Sequence, residues 1–140
     1  METYFLKDDI KLICVTSTSF PGGITAAHEK LHRLLTTTNG RNLYGISSPQ
    51  GKGEIVYRAA VEESFTGEAE QLKLETFTLK KGEYTGSRVV NYPDHMESIS
   101  NTFQKILQNP RIDPQGCCVE KYLNEKDVQC MVRLEPKLKR

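Results

Sequence analysis

An excess of charge of either sign is absent from this sequence. Its 140 residues carry 19 lysines and arginines against 18 aspartates and glutamates, a formal net charge of +1. A chain without a strong positive field is not drawn electrostatically to nucleic acid. The basic C-terminal residues Lys137, Lys139 and Arg140 are too few to form a nucleic-acid-binding arm. We therefore expect a solvated tail and no direct binding to nucleic acid.

Long apolar runs and targeting signals are also lacking. The apolar runs are far shorter than the roughly 20 residues that a membrane-spanning helix needs. Residues 1–9 show no basic start, apolar stretch or cleavage site of the kind that marks a signal peptide. We therefore expect no membrane association and a cytoplasmic location. The length suits a single domain, residues 1–140, with one substantial core.

Cysteine is scarce and is not spaced for a metal or a disulfide framework. The four residues are Cys14, Cys117, Cys118 and Cys130. No two form a C-x-x-C pair, and the adjacent Cys117 and Cys118 are poorly placed for one tetrahedral zinc. Without an export signal the thiols are expected to be reduced. Most lie in segments rich in valine, isoleucine or methionine, which predicts small buried side chains.

Familiar catalytic motifs are missing, with one exception. G-x-S-x-G, P-loop and G-x-G-x-x-G patterns do not occur, so no cofactor is predicted. Residues 28–32, His-Glu-Lys-Leu-His, match H-E-x-x-H, which on a helix places two imidazoles on one side. A catalytic zinc needs a third protein ligand. Residues 33–40 contain no histidine, and His95 begins another predicted helix. We therefore predict no metal at His28 and His32.

The elements that the sequence does indicate occur in one order, twice. β-branched runs, helical apolar spacing and Gly or Pro breaks predict strand, helix, strand, strand in each half. In the first half these are residues 11–19, about 23–37, 42–47 and 53–63, with a turn at Pro49, Gly51 and Gly53. A polar bridge is predicted at 64–73. In the second half, strands at 74–79 and 84–91 flank a turn at Lys81 and Gly82, followed by a helix near 95–108 and strands at 117–123 and 128–134.

The two halves also match in sequence. A shift of 72 places residues 20–24 on 92–96 and aligns the apolar stripes of the two helices, which Asn39-Gly40 and Asn109-Pro110 end. A shift of 73 aligns Tyr57, Ala59 and Val61 with Cys130, Val132 and Leu134. We interpret this as a duplication, with repeats at about 8–63 and 74–135. The predicted α+β fold is an antiparallel sheet with both helices on one face and a pseudo-twofold axis. The seam between the repeats then forms a groove suited to a ligand.

Segments in both halves resemble the GyrI-like family, also called the bacterial transcription activator effector-binding domain. They are residues 44–49, 55–62, 81–84 and 119–124, and the resemblance extends from about residue 8 to 135. It implies two strand-helix-strand-strand modules and a pocket for amphipathic, often cationic, molecules. It also implies that an acidic residue of the second module sits in that pocket, at the position of Glu120. Many relatives carry an N-terminal helix-turn-helix, whereas this sequence begins almost at the domain, so we expect a stand-alone module.

Glu120 is unusual on its own, because it lies in an otherwise apolar strand with Tyr122 on the same face. A partly desolvated carboxylate suits a cationic ligand, and aromatic rings add cation–π attraction. The alternative is an exposed glutamate paired with a nearby lysine or arginine. Further candidate lining residues, each of which is otherwise a core residue, are Phe20, Tyr44, Tyr57 and Tyr92. Glu62 and Glu63 either shape the pocket or end a strand in solvent.

The sequence thus predicts a protein that binds a small amphipathic, cationic molecule between its repeats, as a sensor or a sequestering module. Two alternatives stay open. Some GyrI-like proteins resemble hydrolases of reactive small molecules that use a glutamate and an aromatic partner including tryptophan. This chain has no tryptophan, but Glu120 with a tyrosine can still orient water. The other alternative is a module that docks on a protein partner.

Overall fold

The computed structural model describes residues 1–35, 40–50 and 53–136. In these residues all strand pairs are antiparallel, and helices accompany them, which confirms the predicted α+β class. The strands are β1 (Glu2–Leu6), β2 (Ile10–Thr16), β3 (Leu43–Gln50), β4 (Glu54–Glu62), β5 (Glu75–Leu79), β6 (Gly82–Val89), β7 (Cys118–Tyr122) and β8 (Val128–Arg133). The helices are α1 (Ile24–Leu34), α2 (Glu68–Leu72) and α3 (Met96–Ile106), with a 3-10 helix at Tyr92–Asp94.

The chain divides into two compact units, which we call the central and the terminal unit. The central unit is Ile10–Leu79, and the terminal unit joins Met1–Asp9 to Lys80–Arg140. The strand order is β3-β4-β2-β5 in the central unit and β1-β6-β8-β7 in the terminal unit. The terminal unit is therefore built from two separate segments of the chain, whereas the central unit is one continuous segment.

In the central unit, α1 packs against β2 and β4. Ala27 and Leu31 lie one helical turn apart, so both face the sheet. They meet a core that includes Ile13 and Val61. A buried side chain of this size contributes about 1.5–3 kcal/mol to folding. The apolar stripe, rather than any capping side chain, therefore fixes α1 on its sheet.

In the terminal unit, α3 packs against β6 and β8 in the same manner. Phe103 and Ile106 face a core formed by alternate residues of β8, namely Val128, Cys130 and Val132. Val89 of β6 completes the buried group. The side chains of β8 that face α3 thus recur with the period of two that a strand dictates.

Most predicted elements are confirmed, with small shifts at their ends. Both long helices form within the predicted limits, and Cys14 and Cys130 are buried as expected. Three residues of the predicted apolar stripes, Leu34, Met96 and Leu107, are instead exposed. The helix stop at Asn39, the turn residue Gly51 and the C-terminal Lys137, Lys139 and Arg140 lie outside the described residues.

The pairing of β5 corrects the sequence-based division of the chain. Residues 74–79 are predicted to open the second repeat beside 84–91. Instead β5 pairs with β2, so it belongs to the central unit. Phe77 lies opposite Leu12 and Leu79 lies opposite Ile10, and such apolar cross-strand pairs set the register.

Two elements are absent from the sequence prediction. Helix α2 lies where a polar bridge is predicted. The sequence does not indicate this helix, because only Glu68 and Ala69 of its five residues are buried and it has no apolar stripe. Strand β1 pairs with β6 at the start of the chain, where a five-residue strand gives little periodic signal. In the part of the chain that the structure describes, no helix is both long and apolar enough to cross a membrane.

The two units share one order of elements and of strand neighbours. The central unit runs β2, α1, β3, β4 with the neighbours β3-β4-β2, and the terminal unit runs β6, α3, β7, β8 with the neighbours β7-β8-β6. Each adds one strand beside the first of its set, β5 next to β2 and β1 next to β6. The duplication and the pseudo-twofold axis stay predictions.

Candidate functional site

Glu120 lies in the middle of β7, on the face that packs toward α3. Alternation along the strand puts it on the same face as Cys118 and Tyr122, both of which pack against the core of the terminal unit. Across the sheet, Glu120 lies directly opposite Cys130 of β8. Cys130 is fully buried, whereas Glu120 itself is half-buried. The carboxylate therefore stands at the margin of an apolar core.

The partner of this carboxylate is a phenol and not a cation. The Tyr122 hydroxyl donates a hydrogen bond of 2.9 Å to Oε1 of Glu120, which confirms that the two side chains share a face. Across residues 1–35, 40–50 and 53–136, no lysine, arginine or histidine forms an ion pair with Glu120. The sequence alternative of an exposed, salt-bridged glutamate is therefore not what the structure shows.

Burial raises the pKa of the Glu120 carboxyl above its ordinary value, and the hydrogen bond from Tyr122 offsets only part of that rise. A charge that is desolvated without an opposite charge nearby is costly to hold. The ionised form of Glu120 is therefore held at a cost in this position.

Tyr92 adds a second aromatic ring next to Tyr122. It begins the 3-10 helix at the corner before α3, and its backbone N–H donates to the carbonyl of Lys126. Its ring centroid lies 5.8 Å from that of Tyr122, with a tilt of 49° between the planes. Burial raises the pKa of the Tyr92 hydroxyl, with smaller contributions from the carboxylates of Glu120 and Glu125. We call Tyr92, Cys118, Glu120, Tyr122 and Cys130 the Glu120 cluster.

The two thiols of the Glu120 cluster are neutral at ordinary pH. Burial, with smaller contributions from the Glu120 carboxylate and from a neighbouring cysteine, raises the pKa of Cys118 to about 11 and that of Cys130 to about 12. Nucleophilic and metal-binding cysteines need the thiolate form. Among the described residues, no group of three or more histidine, cysteine, aspartate or glutamate side chains is arranged to hold a metal. The thiols therefore act as apolar lining.

In the central unit, the predicted lining residues Phe20 and Tyr57 lie together. Phe20 lies with its ring centroid 6.2 Å from that of Tyr57, and Tyr57 is only 1% exposed. The Tyr57 hydroxyl lies 2.8 Å from Nε2 of His28. Tyr57 also lies so close to Gly45 that a Cβ there would stand 2.2 Å from its hydroxyl oxygen. Tyr57 is thus a core residue, and Phe20, at 41% exposure, is the accessible ring of the pair.

Tyr44 lies on the opposite face of the central sheet from Tyr57. Its Cα partner on β4 is Ala60, and residues 57 and 60 of one strand point to opposite faces. Tyr44 is 1% exposed. The structure thus brings Glu120, Tyr122 and Tyr92 together in one unit and Phe20 with Tyr57 in the other, and it separates Tyr44 from Tyr57.

Glu62 and Glu63 hold the end of β4 in place. Oε1 of Glu62 accepts hydrogen bonds from the backbone and the side-chain amide of Asn42. Oε2 of Glu63 accepts from the backbone N–H of Ala69 and lies 3.5 Å from the Lys11 ammonium. These contacts give both carboxylates structural roles in the central unit.

Two members of the Glu120 cluster are absent from the sequence prediction. Cys118 could have been found from the strand period, since it precedes Glu120 by two residues. Cys130 depends on the register between β7 and β8, which no local pattern reveals.

Solved structures share the fold of this chain at low sequence identity. No protein-family model matches the sequence, and comparison with curated proteins gives no match. A crystal structure of an integron cassette protein from the mobile metagenome of Vibrio cholerae superposes with a TM-score of 0.69 at 14% identity, over 96% of this chain and 100% of that one. A hydrolase from Listeria innocua superposes with a TM-score of 0.63 at 12% identity, over 96% and 90%. The likeness is one of fold alone.

Proposed function

We propose that this protein binds a small amphipathic cation at the Glu120 cluster, as a module that senses or sequesters its ligand. One observation carries the proposal: a half-buried carboxylate lies among aromatic rings and apolar side chains, with a tyrosine hydroxyl as its hydrogen-bond partner and no ion-paired cation in the described residues. Burying such a charge costs free energy unless an opposite charge compensates for it. A bound cation provides that opposite charge.

The surroundings of Glu120 suit an organic cation better than an inorganic one. The tilted rings of Tyr92 and Tyr122 offer π faces, which attract ammonium groups by about 0.5–2 kcal/mol each. Cys118 adds half-buried apolar surface next to the carboxylate. Among the described residues, an inorganic cation would find one carboxylate in the cluster and no group of three acidic, histidine or cysteine side chains arranged to hold it.

The resemblance of the sequence to GyrI-like domains supports the same proposal, since those domains bind amphipathic molecules near an equivalent acid. We also propose that the two units arose by duplication. The shift of 73 that pairs Tyr57 with Cys130 also relates the sheet faces on which α1 and α3 pack, because each residue belongs to the core beneath its own helix. Superposing residues 10–63 on 82–135 tests this, and a mismatch in helix position would contradict it.

A binding titration with benzyltrimethylammonium tests the function. The control ligand is neopentylbenzene, in which carbon replaces the charged nitrogen. We expect the cation to bind more tightly than the neutral molecule, and Glu120→Gln to weaken cation binding on the order of 5- to 150-fold. Glu120→Gln should leave affinity for the neutral molecule unchanged, because the shape of the site is retained.

The matched control variant is Glu125→Gln, which makes the same chemical change at an exposed position near Tyr92. It should bind the cation nearly as tightly as the wild-type protein. Tyr92→Ala should weaken binding of both ligands, since it removes a ring and not a charge. Equal cation affinity in the wild type and Glu120→Gln would remove Glu120 from the site and overturn the proposal.

Hydrolysis of a reactive small molecule is a second candidate. The hydrogen bond between Tyr122 and Glu120 favours it, because a carboxyl of raised pKa beside a phenol has the groups that general acid–base chemistry uses. One solved protein of similar fold is described as a hydrolase. Release of p-nitrophenol from activated esters distinguishes the two roles. Turnover that disappears in Glu120→Gln and in Tyr122→Phe would favour the enzyme.

A further inference from the structure

We propose that the Glu120 cluster is a proton–cation exchange site, in which the carboxyl releases its proton as the cation binds and acidification expels the cation. The inference rests on the proposed function of the same cluster and adds a means of regulation to it. One proton leaves to solvent as one positive charge enters, so the net charge of the site is conserved. No covalent bond other than the carboxyl O–H is broken.

The geometry around Glu120 favours a neutral carboxyl in the empty site. The side chain is half-buried and has Cys118 and Tyr122 beside it on β7 and Cys130 opposite it on β8. All three neighbours are uncharged at neutral pH. Burial also raises the pKa of the carboxyl, in keeping with this arrangement. Protonation therefore relieves a cost that the folded protein otherwise carries.

The groups that face Glu120 do not themselves titrate near neutral pH. Burial raises the pKa of Cys118 to about 11 and that of Cys130 to about 12, and it also raises that of Tyr92. Helix α3 contributes Phe103 and Ile106 to the adjoining core, and neither has a titratable group. Among these facing groups, Glu120 is thus the one expected to change cation affinity between about pH 5 and pH 8.

Two exposed ionisable side chains near the corner need controls of their own. His95 ends the 3-10 helix that Tyr92 begins, and Glu125 acts on the pKa of Tyr92. Both are exposed. Substituting each of them distinguishes its effect on binding from that of Glu120.

The coupling between proton release and cation binding gives the size of the expected change in affinity with pH. If the cation binds only the ionised carboxyl, its affinity falls roughly tenfold for each pH unit below the pKa of the empty site. Above that pKa the affinity is constant. A quaternary ammonium has no proton to lose, so any pH dependence of its binding belongs to the protein.

The experiment is calorimetric titration with benzyltrimethylammonium at fixed ionic strength, from about pH 5 to about pH 8. Each pH is measured in two buffers of different ionisation enthalpy, which together give the number of protons released. For the wild type we expect weaker binding toward the acid end, with release of up to about one proton per cation there. Glu120→Gln should bind weakly, at the same affinity throughout, and release none. His95→Asn and Glu125→Gln should behave as the wild type, and circular dichroism checks folding at each pH.

The outcomes separate this inference from the function on which it rests. Binding that depends on Glu120 but keeps one affinity over the whole range, without proton release, would overturn the exchange and leave the cation site standing. A pH dependence that vanishes in His95→Asn would overturn it as well. No binding of the cation by the folded wild type at any pH would overturn both.

Discussion

Tyr57 and His28 form a hydrogen bond in the central unit, with 2.8 Å between the Tyr57 hydroxyl oxygen and Nε2 of His28. The rings also meet edge to face, with centroids 5.8 Å apart. Burial lowers the pKa of His28 to about 4, and the neighbouring His32 adds a smaller effect in the same direction. The imidazole is therefore neutral in the folded protein. His28 is half-buried at this contact, whereas His32 is exposed on α1.

Acid should destabilise the protein through His28. The pKa is 6.5 in the unfolded chain and about 4 in the folded one, so the unfolded chain binds the proton more readily. The contribution of neutral His28 to the free energy of unfolding should be fully present above pH 6.5. It should fall as the pH decreases and level off below about pH 4, with a total loss of about 3 kcal/mol. Urea denaturation at a series of pH values measures it. His28→Gln should flatten this part of the profile and His32→Asn should not; an unchanged profile in His28→Gln would refute the assignment.

We expect that position 45 must be glycine, because the Tyr57 ring occupies the space that a side chain there would need. A Cβ at position 45 would lie 2.2 Å from the Tyr57 hydroxyl oxygen and 2.9 Å from its Cζ, with no room for the ring to retreat in a packed core. Gly45→Ala should therefore destabilise by about 2–3 kcal/mol, as overpacking does. Combining it with Tyr57→Val should remove most of that additional cost. Fully additive losses in a double-mutant cycle would show that the two side chains do not compete for this space.

Local periodicity predicts those parts of the fold in which one face of an element is apolar. Leu31 and Phe103 recur in helical register with their neighbours, so α1 and α3 can be found from the sequence. Strand pairing is not local: β5 joins β2 because Phe77 meets Leu12, and its sequence suits either neighbour. The same holds for the site. The strand period predicts Tyr122 beside Glu120, but the burial of Tyr44 and Tyr57 depends on packing over the whole sheet.

Helix α2 should depend on a buried ion pair that connects it to Arg41. The guanidinium makes two parallel contacts with Glu68, at 3.0 and 2.8 Å, and the two side chains are only 8% and 2% exposed. Glu68→Gln would leave the buried guanidinium without its counter-charge, and should cost about 3–5 kcal/mol in urea denaturation. Glu75→Gln, which weakens the more exposed pair with Arg58, should cost less than about 1 kcal/mol. Similar losses in the two variants would contradict the role of burial.

Glu120→Gln should make the empty protein more stable at neutral pH. The pKa of Glu120 is higher in the folded state than its ordinary value of 4.5, so folding favours the protonated form. The stability that this provides is present below pH 4.5 and is lost as the pH rises through the folded-state pKa. The amide keeps the shape of the carboxyl and can accept the same hydrogen bond from Tyr122. The difference between the variant and the wild type in thermal denaturation should therefore grow from about pH 4 to about pH 8, and Glu125→Gln should show no such growth.

A saturating cation should reverse that order, because a ligand that binds only the folded state stabilises it. At about 100 times its dissociation constant, benzyltrimethylammonium should add about 2.7 kcal/mol to the wild type, and much less to Glu120→Gln, which binds it weakly. Thermal denaturation of both proteins at neutral pH, with and without the ligand, shows whether the order of their stabilities reverses. A residue retained for packing would make Glu120→Gln less stable than the wild type in both conditions. A residue retained for binding makes it more stable in the first and less stable in the second, and this is the result that we expect.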